Sequence, residues 1–214
     1  MADNTISWYI ENQVKRTIDS LRKNNMYGVF ANNAAELKQH IKQLIPEGST
    51  VGIGDSMTLF DTGIINLLQN GSYNFLDKYR NGITSEEKKK LYRANFSADT
   101  FLSGTNAITE NGELYNIDGN GSRVAPMIYG PEQVIIVAGI NKIVKNLDEA
   151  EKRVRNYAAP LDAKRLNKKT PCSSLGYCTD CKSPERICND FVVIRRQFIK
   201  NRIKVIIIRK HLGY

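Results

Sequence analysis

The sequence predicts an α/β fold, a mostly parallel sheet flanked by helices with a small antiparallel C-terminal extension. Three observations predict it. Amphipathic helical segments alternate with short β-rich runs along most of the chain. Val134–Ala138 is an unbroken apolar run of strand length, the pattern of a parallel strand covered on both faces. Thr50-Val51-Gly52-Ile53-Gly54 runs into a helix through glycines, which makes a strand–turn–helix unit. A chain of 214 residues suits one large domain with a full core. Its expected parts are N-terminal helices over 1–48, an α/β core over 49–169, and a Cys-rich loop with C-terminal strands over 170–214 that return to the sheet.

The elements follow in order. Thr5–Asn24 is amphipathic, with Ile10, Val14, Ile18 and Leu21 on one stripe. Asn33–Ile45 is a second helix with Leu37, Ile41 and Leu44 inward, stopped by Pro46-Glu47-Gly48. Met57–Leu68 is expected as one helix after the first glycine turn. Tyr73–Leu76 is a short strand candidate. Thr84–Phe96 opens with Thr84 and Glu87 at capping-box spacing. Phe101–Ser103 ends a strand. Asn106–Thr109 and Glu113–Ile117 flank the turn Glu110-Asn111-Gly112 and form a hairpin. Ser122 caps a short helix over Arg123–Tyr129. Leu147–Ala158 is a helix capped by Asp148, with Ala150, Val154 and Tyr157 inward, and Leu161–Lys169 continues it. Phe191–Ile194 and Arg202–Arg209 are the last strands, read as an antiparallel pair because only seven residues separate them.

Charge is uneven. The net formal charge is +9, yet residues 142–214 carry 18 Lys/Arg against 7 Asp/Glu. Aromatic residues are not regularly interleaved with these charges as stacking platforms would require, so solvated helix faces and a site for an anionic small molecule are favoured over a nucleic-acid surface. No apolar run reaches membrane-spanning length, and Met1–Arg16 lacks the pattern of a secretory signal. The expected location is the cytoplasm, with no membrane partner.

Two polar, Gly-rich stretches are candidate halves of a crevice. The first supplies Gly52, Gly54, Asp55, Ser56, Met57 and Thr58: glycines for close backbone approach, hydroxyls, and free N–H groups at a helix start. It lacks the GK[ST] of a Walker loop and the third glycine of the dinucleotide fingerprint. The second supplies Gly104, Thr105 and Asn106, then Gly119, Asn120, Gly121, Ser122 and Arg123. Asn141 and Lys142 follow the buried strand, where ligands of α/β sheets sit. Arg123 and Lys142 are the cations placed to reach an anion. Glu110 is the best candidate for a catalytic base. The two histidines, His40 and His211, lie in no motif. Cys172, Cys178, Cys181 and Cys188 stand at C-x5-C-x2-C-x6-C. Four thiolates suit an iron–sulfur cluster or zinc, but the spacing is neither a zinc ribbon nor a ferredoxin run, so a reversible dithiol and inert buried cysteines remain open.

The blocks Val51–Thr58, Gly104–Gly112, Asp118–Ala125 and Val134–Lys142, in that order, resemble the lactate-utilisation (LUD) domain family. The cysteine block Cys172–Asn189 is similar to the tail of one subgroup. The resemblance implies a fold like ribose-5-phosphate isomerase, glucosamine-6-phosphate deaminase and the CoA transferases. It implies a ligand across the C-terminal edge of the sheet, with Gly52–Thr58 as the phosphate turn and Gly104–Asn106 with Gly119–Arg123 as the second loop. The isomerase motif itself is absent, so isomerase activity is not implied. The family is associated with oxidation of lactate to pyruvate beside iron–sulfur subunits. The implied function is therefore binding of a small anionic metabolite in that pathway or a related one. The implied cofactor is a 4Fe–4S cluster ahead of zinc. The expected partners are the metabolite, iron–sulfur protein subunits and, in a homo-oligomer, further copies of the chain. The alternatives are an iron–sulfur or zinc redox accessory subunit and a regulator that binds an anionic polymer.

Overall fold

The computed structural model describes residues 4–214. The N-terminal part runs α1 (Asn4–Lys23), β1 (Tyr27–Ala31), α2 (Ala34–Leu44), β2 (Thr50–Ile53), α3 (Met57–Asp61), α4 (Ile64–Gln69), β3 (Asn74–Phe75) and α5 (Ser85–Ala94). The middle runs β4 (Thr100–Ser103), β5 (Ala107–Thr109), β6 (Leu114–Asp118), α6 (Val124–Ile128), β7 (Gln133–Gly139) and β8 (Ile143–Val144). The last part holds α7 (Leu147–Arg153), a π-helical turn over Val154–Ala158, α8 (Ala159–Arg165), α9 (Pro171–Leu175), β9 (Asp190–Ile194) and β10 (Ile203–Ile208).

Six strands form one parallel sheet in the order β1-β10-β7-β4-β2-β3. Its central strands are buried on both faces, and successive side chains feed opposite cores. Val134, Ile136 and Ala138 of β7 enter one core with Val14, Ile18 and Leu21 of α1. Ile135 and Val137 enter the other with Leu37 and Ile41 of α2 and Leu59 of α3. Each such Val, Ile or Leu side chain contributes roughly 1.5–3 kcal/mol by leaving water. Gly28 lets α1 lie tightly on β1, because a Cβ there would sit 3.2 Å from Ile18 Cγ2. A second sheet, β8-β5-β6-β9, is mixed: β5 pairs antiparallel with β6 and parallel with β8, and β6 pairs antiparallel with β9. It stands beside the carboxyl ends of β4 and β7, because β4 leads into β5 through Gly104-Thr105-Asn106 and β7 into β8 through Ile140-Asn141-Lys142.

Several expectations are corrected. The last two strands do not pair with each other. β9 adds to the small sheet against β6, and β10 inserts into the large sheet between β1 and β7. β1 lies inside the segment expected to be helices alone. The helix expected over 57–68 is broken, because Gly63 adopts a left-handed φ of 69° between α3 and α4. The cap of α7 is Asn146, which accepts from Glu149 N, rather than Asp148. The start of α6 is held by Asp118, whose Oδ2 accepts from Arg123 N and Val124 N, rather than by Ser122. Tyr157 is half exposed instead of inward. The capping box of Thr84 and Glu87 is present as expected.

Candidate functional site

The carboxyl ends of β2, β4 and β7 are neighbours in the sheet, and the loops leaving them meet at a crevice of about 650 Å³. Asp55, Ser56 and Met57 come from the β2 loop, and Gly104, Thr105 and Asn106 from the β4 loop. Gly119, Asn120, Ser122 and Arg123 come from the β6–α6 loop, and Lys142 follows β7. The two halves predicted from sequence are thus brought together. Their contact is close: a Cβ on Gly104 would lie 2.5 Å from Ser56 Oγ, and one on Gly54 would lie 2.6 Å from Ser103 Oγ. These glycines let the walls approach each other.

Other predicted residues support the crevice without lining it. Gly52 and Gly54 are buried behind the β2 loop, and Gly52 makes room for Asn95. Thr58 is fully buried, and its Oγ1 accepts from Lys142 Nζ at 3.2 Å. Gly121 supplies a left-handed turn of φ 75° in the β6–α6 loop. Asn141 Oδ1 accepts from Leu212 N and so ties the end of β7 to the C-terminal segment.

Arg123 is the clamp of the second loop. Its guanidinium donates to Gly104 O, Asn116 Oδ1, Asn106 Oδ1 and Ile117 O at 2.8–3.2 Å, and it pairs with Asp118 at 3.9 Å. Burial lowers its pKa, and the Asp118 charge opposes that shift. Arg153 staples the same region by donating to Asn106 O at 2.8 Å and Asn141 O at 3.1 Å. Lys142 is 4% exposed, and burial followed by the charges of Arg153 and Arg123 lowers its pKa to about 7.

Glu110 is not brought to the crevice. It sits at the β5–β6 turn, where Gln13 and Arg16 of α1 donate to its carboxylate, each at 3.1 Å. Sequence reasoning missed the other side of the crevice. Asp162, Arg165, Leu166 and Lys168 reach it from α8 and the turn after it, and Glu185, Arg186 and Ile187 from the cysteine loop. It also missed Lys78, which is buried and forms an ion pair with Asp55 at 3.0 Å. Burial lowers the pKa of Lys78, and Asp55 opposes that shift. The aromatic faces of Tyr79 and Tyr92 lie 5.4 Å and 5.0 Å from its Nζ. No local sequence signal marks this cluster, because Lys78, Tyr79 and Tyr92 lie more than 19 residues beyond the first loop.

The four cysteines are free thiols, each partly buried. Burial raises the Cys188 thiol pKa; Arg186 opposes the shift, while Cys178 and Cys181 add to it. Among the described residues no three His, Cys, Asp or Glu side chains are placed to hold a metal ion. The loop does form part of the crevice wall, because Arg186 lines the crevice while donating to Cys181 O and Cys188 O.

A profile of the LUD domain matches residues 14–208. A DUF162 family protein from Deinococcus radiodurans is similar in structure, with 14% identity and a TM-score of 0.50 over 94% of this chain and 96% of that one. Ribose 5-phosphate isomerase from Plasmodium falciparum matches 53% of this chain and 52% of its own, at 20% identity and a TM-score of 0.35. The protein eIF2B beta from Chaetomium thermophilum matches 53% and 43%, at 14% identity and a TM-score of 0.36. No curated protein matches the chain. The first of these likenesses supports a shared fold over nearly the whole chain. Among the described residues no helix is long and apolar enough to cross a membrane.

Proposed function

The chain belongs to the LUD domain family, a lactate-utilisation family, and from that premise we propose that its crevice binds a small anionic metabolite in the oxidation of lactate to pyruvate or a related pathway. One observation carries the reading. Where the loops of β2, β4 and β7 meet, the buried amine of Lys142 faces the crevice, and the aspartates that line it are taken by other partners. Arg165, Lys168 and Arg186 add positive charge along the α8 and cysteine-loop side. A small acid supplies the missing counter-charge, and a low-dielectric crevice strengthens that attraction. In this reading iron–sulfur partner subunits accept the two electrons that lactate gives up.

The test is a thermal-shift series on anaerobically purified protein with L-lactate, pyruvate, sugar phosphates and acyl-CoA. A ligand present at about 100 times its Kd adds about 2.7 kcal/mol. For a chain of this size that raises Tm by roughly 5–10 °C. No stabilisation by any of these acids, in a coloured and oxygen-sensitive protein, points instead to a metal or redox accessory subunit built on the cysteine loop. Nucleic-acid binding that falls steeply with salt points to the anionic-polymer reading.

A further inference from the structure

We propose that Lys142 is a catalytic amine that forms an imine with a small 2-oxo acid bound in the crevice, an inference that rests on the ligand reading above. The geometry carries it. Lys142 lines the crevice just beyond the carboxyl end of β7, and its Nζ donates to the hydroxyl of the fully buried Thr58. The carboxylates of the crevice are engaged elsewhere: Asp55 pairs with Lys78 at 3.0 Å, Asp162 with Arg165 at 2.6 Å, Asp118 lies against Arg123, and Glu185 accepts from Lys169 N; the charges of Asp162 and Asp61 favour the ammonium, but burial and the charges of Arg153 and Arg123 act more strongly against it. A buried ammonium without a counter-ion is unfavourable, and the group relieves that cost by releasing its proton. The lowered pKa of about 7 agrees with this, and a neutral amine is the nucleophilic form. A lysine kept only to bind an anion would gain nothing from being neutral.

The chemistry closes without an oxidant. The Nζ lone pair adds to the 2-oxo carbon, and the C–O π electrons move to oxygen. A proton passes from nitrogen to that oxygen and gives a carbinolamine. A second proton converts the hydroxyl to water, which leaves as the protonated imine forms. That proton comes from water in the crevice. Hydrolysis by water returns the free amine. The substrate's carboxylate meets the Arg165, Lys168 and Arg186 side. The protonated imine is an electron sink, so the adduct weakens the bonds at the carbon next to it.

The experiment uses the whole chain with pyruvate, and separately glyoxylate, in the presence of cyanoborohydride, followed by peptide mapping. Lys142 is expected to be modified at least about tenfold faster than the exposed Lys152 and Lys164 at neutral pH, because burial lowers the pKa of its amine from 10.5 to about 7. Modification of Lys142 no faster than of those surface lysines overturns the proposal. Pyruvate stabilisation is measured on the same preparations, for wild type and for Lys142→Arg, which keeps a hydrogen-bond donor and cannot form the imine. Stabilisation of the wild type without trapping removes the amine role and leaves the ligand reading standing. Absence of both removes the amine role, and the ligand reading then stands or falls on the other acids of the thermal-shift series. Trapping in the wild type, with stabilisation by pyruvate reduced in Lys142→Arg, is the outcome the proposal requires.

Discussion

Replacing Lys142 by Met is expected to change how stability depends on pH, with a slope that can be worked from the structure. The folded-state pKa is lowered from 10.5 to about 7. The side chain is only 4% exposed, so solvent screening does little to reduce the effect. Above pH 7 the folded amine is losing its proton, while the unfolded lysine keeps its own up to about pH 10.4. Across that window the unfolded state binds more protons, so wild-type stability rises with pH through this group, by about 1.4 kcal/mol per unit. The benefit is fully present above the unfolded pKa and is lost as pH falls through the folded one. The Met variant has no such group. The wild-type-minus-variant difference should therefore climb by about 3 kcal/mol between about pH 7.5 and pH 9.5, and flatten below about pH 6. Loss of the Thr58 hydrogen bond adds an offset of about 1 kcal/mol that does not change this slope. Urea titrations of both proteins at matched ionic strength measure the difference, and groups common to both cancel in it. A difference that stays flat within about 0.5 kcal/mol over that range would refute the reasoning, because it would mean that the buried amine titrates at its ordinary value.

Three further outcomes follow from the same geometry. Arg123→Ala leaves Gly104 O, Asn116 Oδ1, Asn106 Oδ1 and Ile117 O without their donor, and should cost roughly 3–5 kcal/mol in urea unfolding; Arg123→Lys should recover little of it, because an ammonium cannot match the guanidinium fork. Glu110→Gln should leave the affinity for a crevice ligand unchanged and cost under about 1 kcal/mol, whereas a tenfold loss of affinity would return Glu110 to the site. All four cysteines should react with a thiol reagent in reduced native protein, Cys188 more slowly because burial raises its pKa; protection of the thiols together with stoichiometric iron or zinc in anaerobic protein would establish a metal centre in their place.

The sequence revealed the central strands because burial on both faces leaves no polar residue to break the run. Val134–Ala138 and residues 205–208 are such runs, and both lie in core strands. Pairing is a different matter. Nothing local distinguishes a strand that returns to the middle of the sheet from one that pairs with its sequence neighbour, so the sequence alone pairs β10 with β9, whereas it lies between β1 and β7. β1 was hidden for a related reason: it is five residues with a glycine, lying between two strongly periodic helices. The two polar loops were legible because glycine and small hydroxyl residues cluster where backbones must approach closely. Their partners on the other side of the crevice were not. Asp162, Arg165 and Arg186 look like ordinary solvated charges until the chain folds them towards the β2 and β4 loops.

That difference bears on how the site works. The β2, β4 and β6–α6 loops are bound to each other by buried contacts, Arg123 above all, and form a fixed wall. The opposite side is attached differently. Arg186 reaches the crevice from a loop whose position depends on bonds to Cys181 O, Cys188 O and the exposed Asp180. Arg165 is held by Asp162 on an exposed helix turn. Cations on such a side can adjust to the anion they meet, whereas Lys142 cannot move without leaving Thr58 and the core beneath it. Ligand class should therefore be set by the fixed amine, and tolerance for different acids by the α8 and cysteine-loop side. Oxidation or metal loading of the cysteines would act on Arg186 through the loop that carries it, and so on affinity, while Lys142 kept its place.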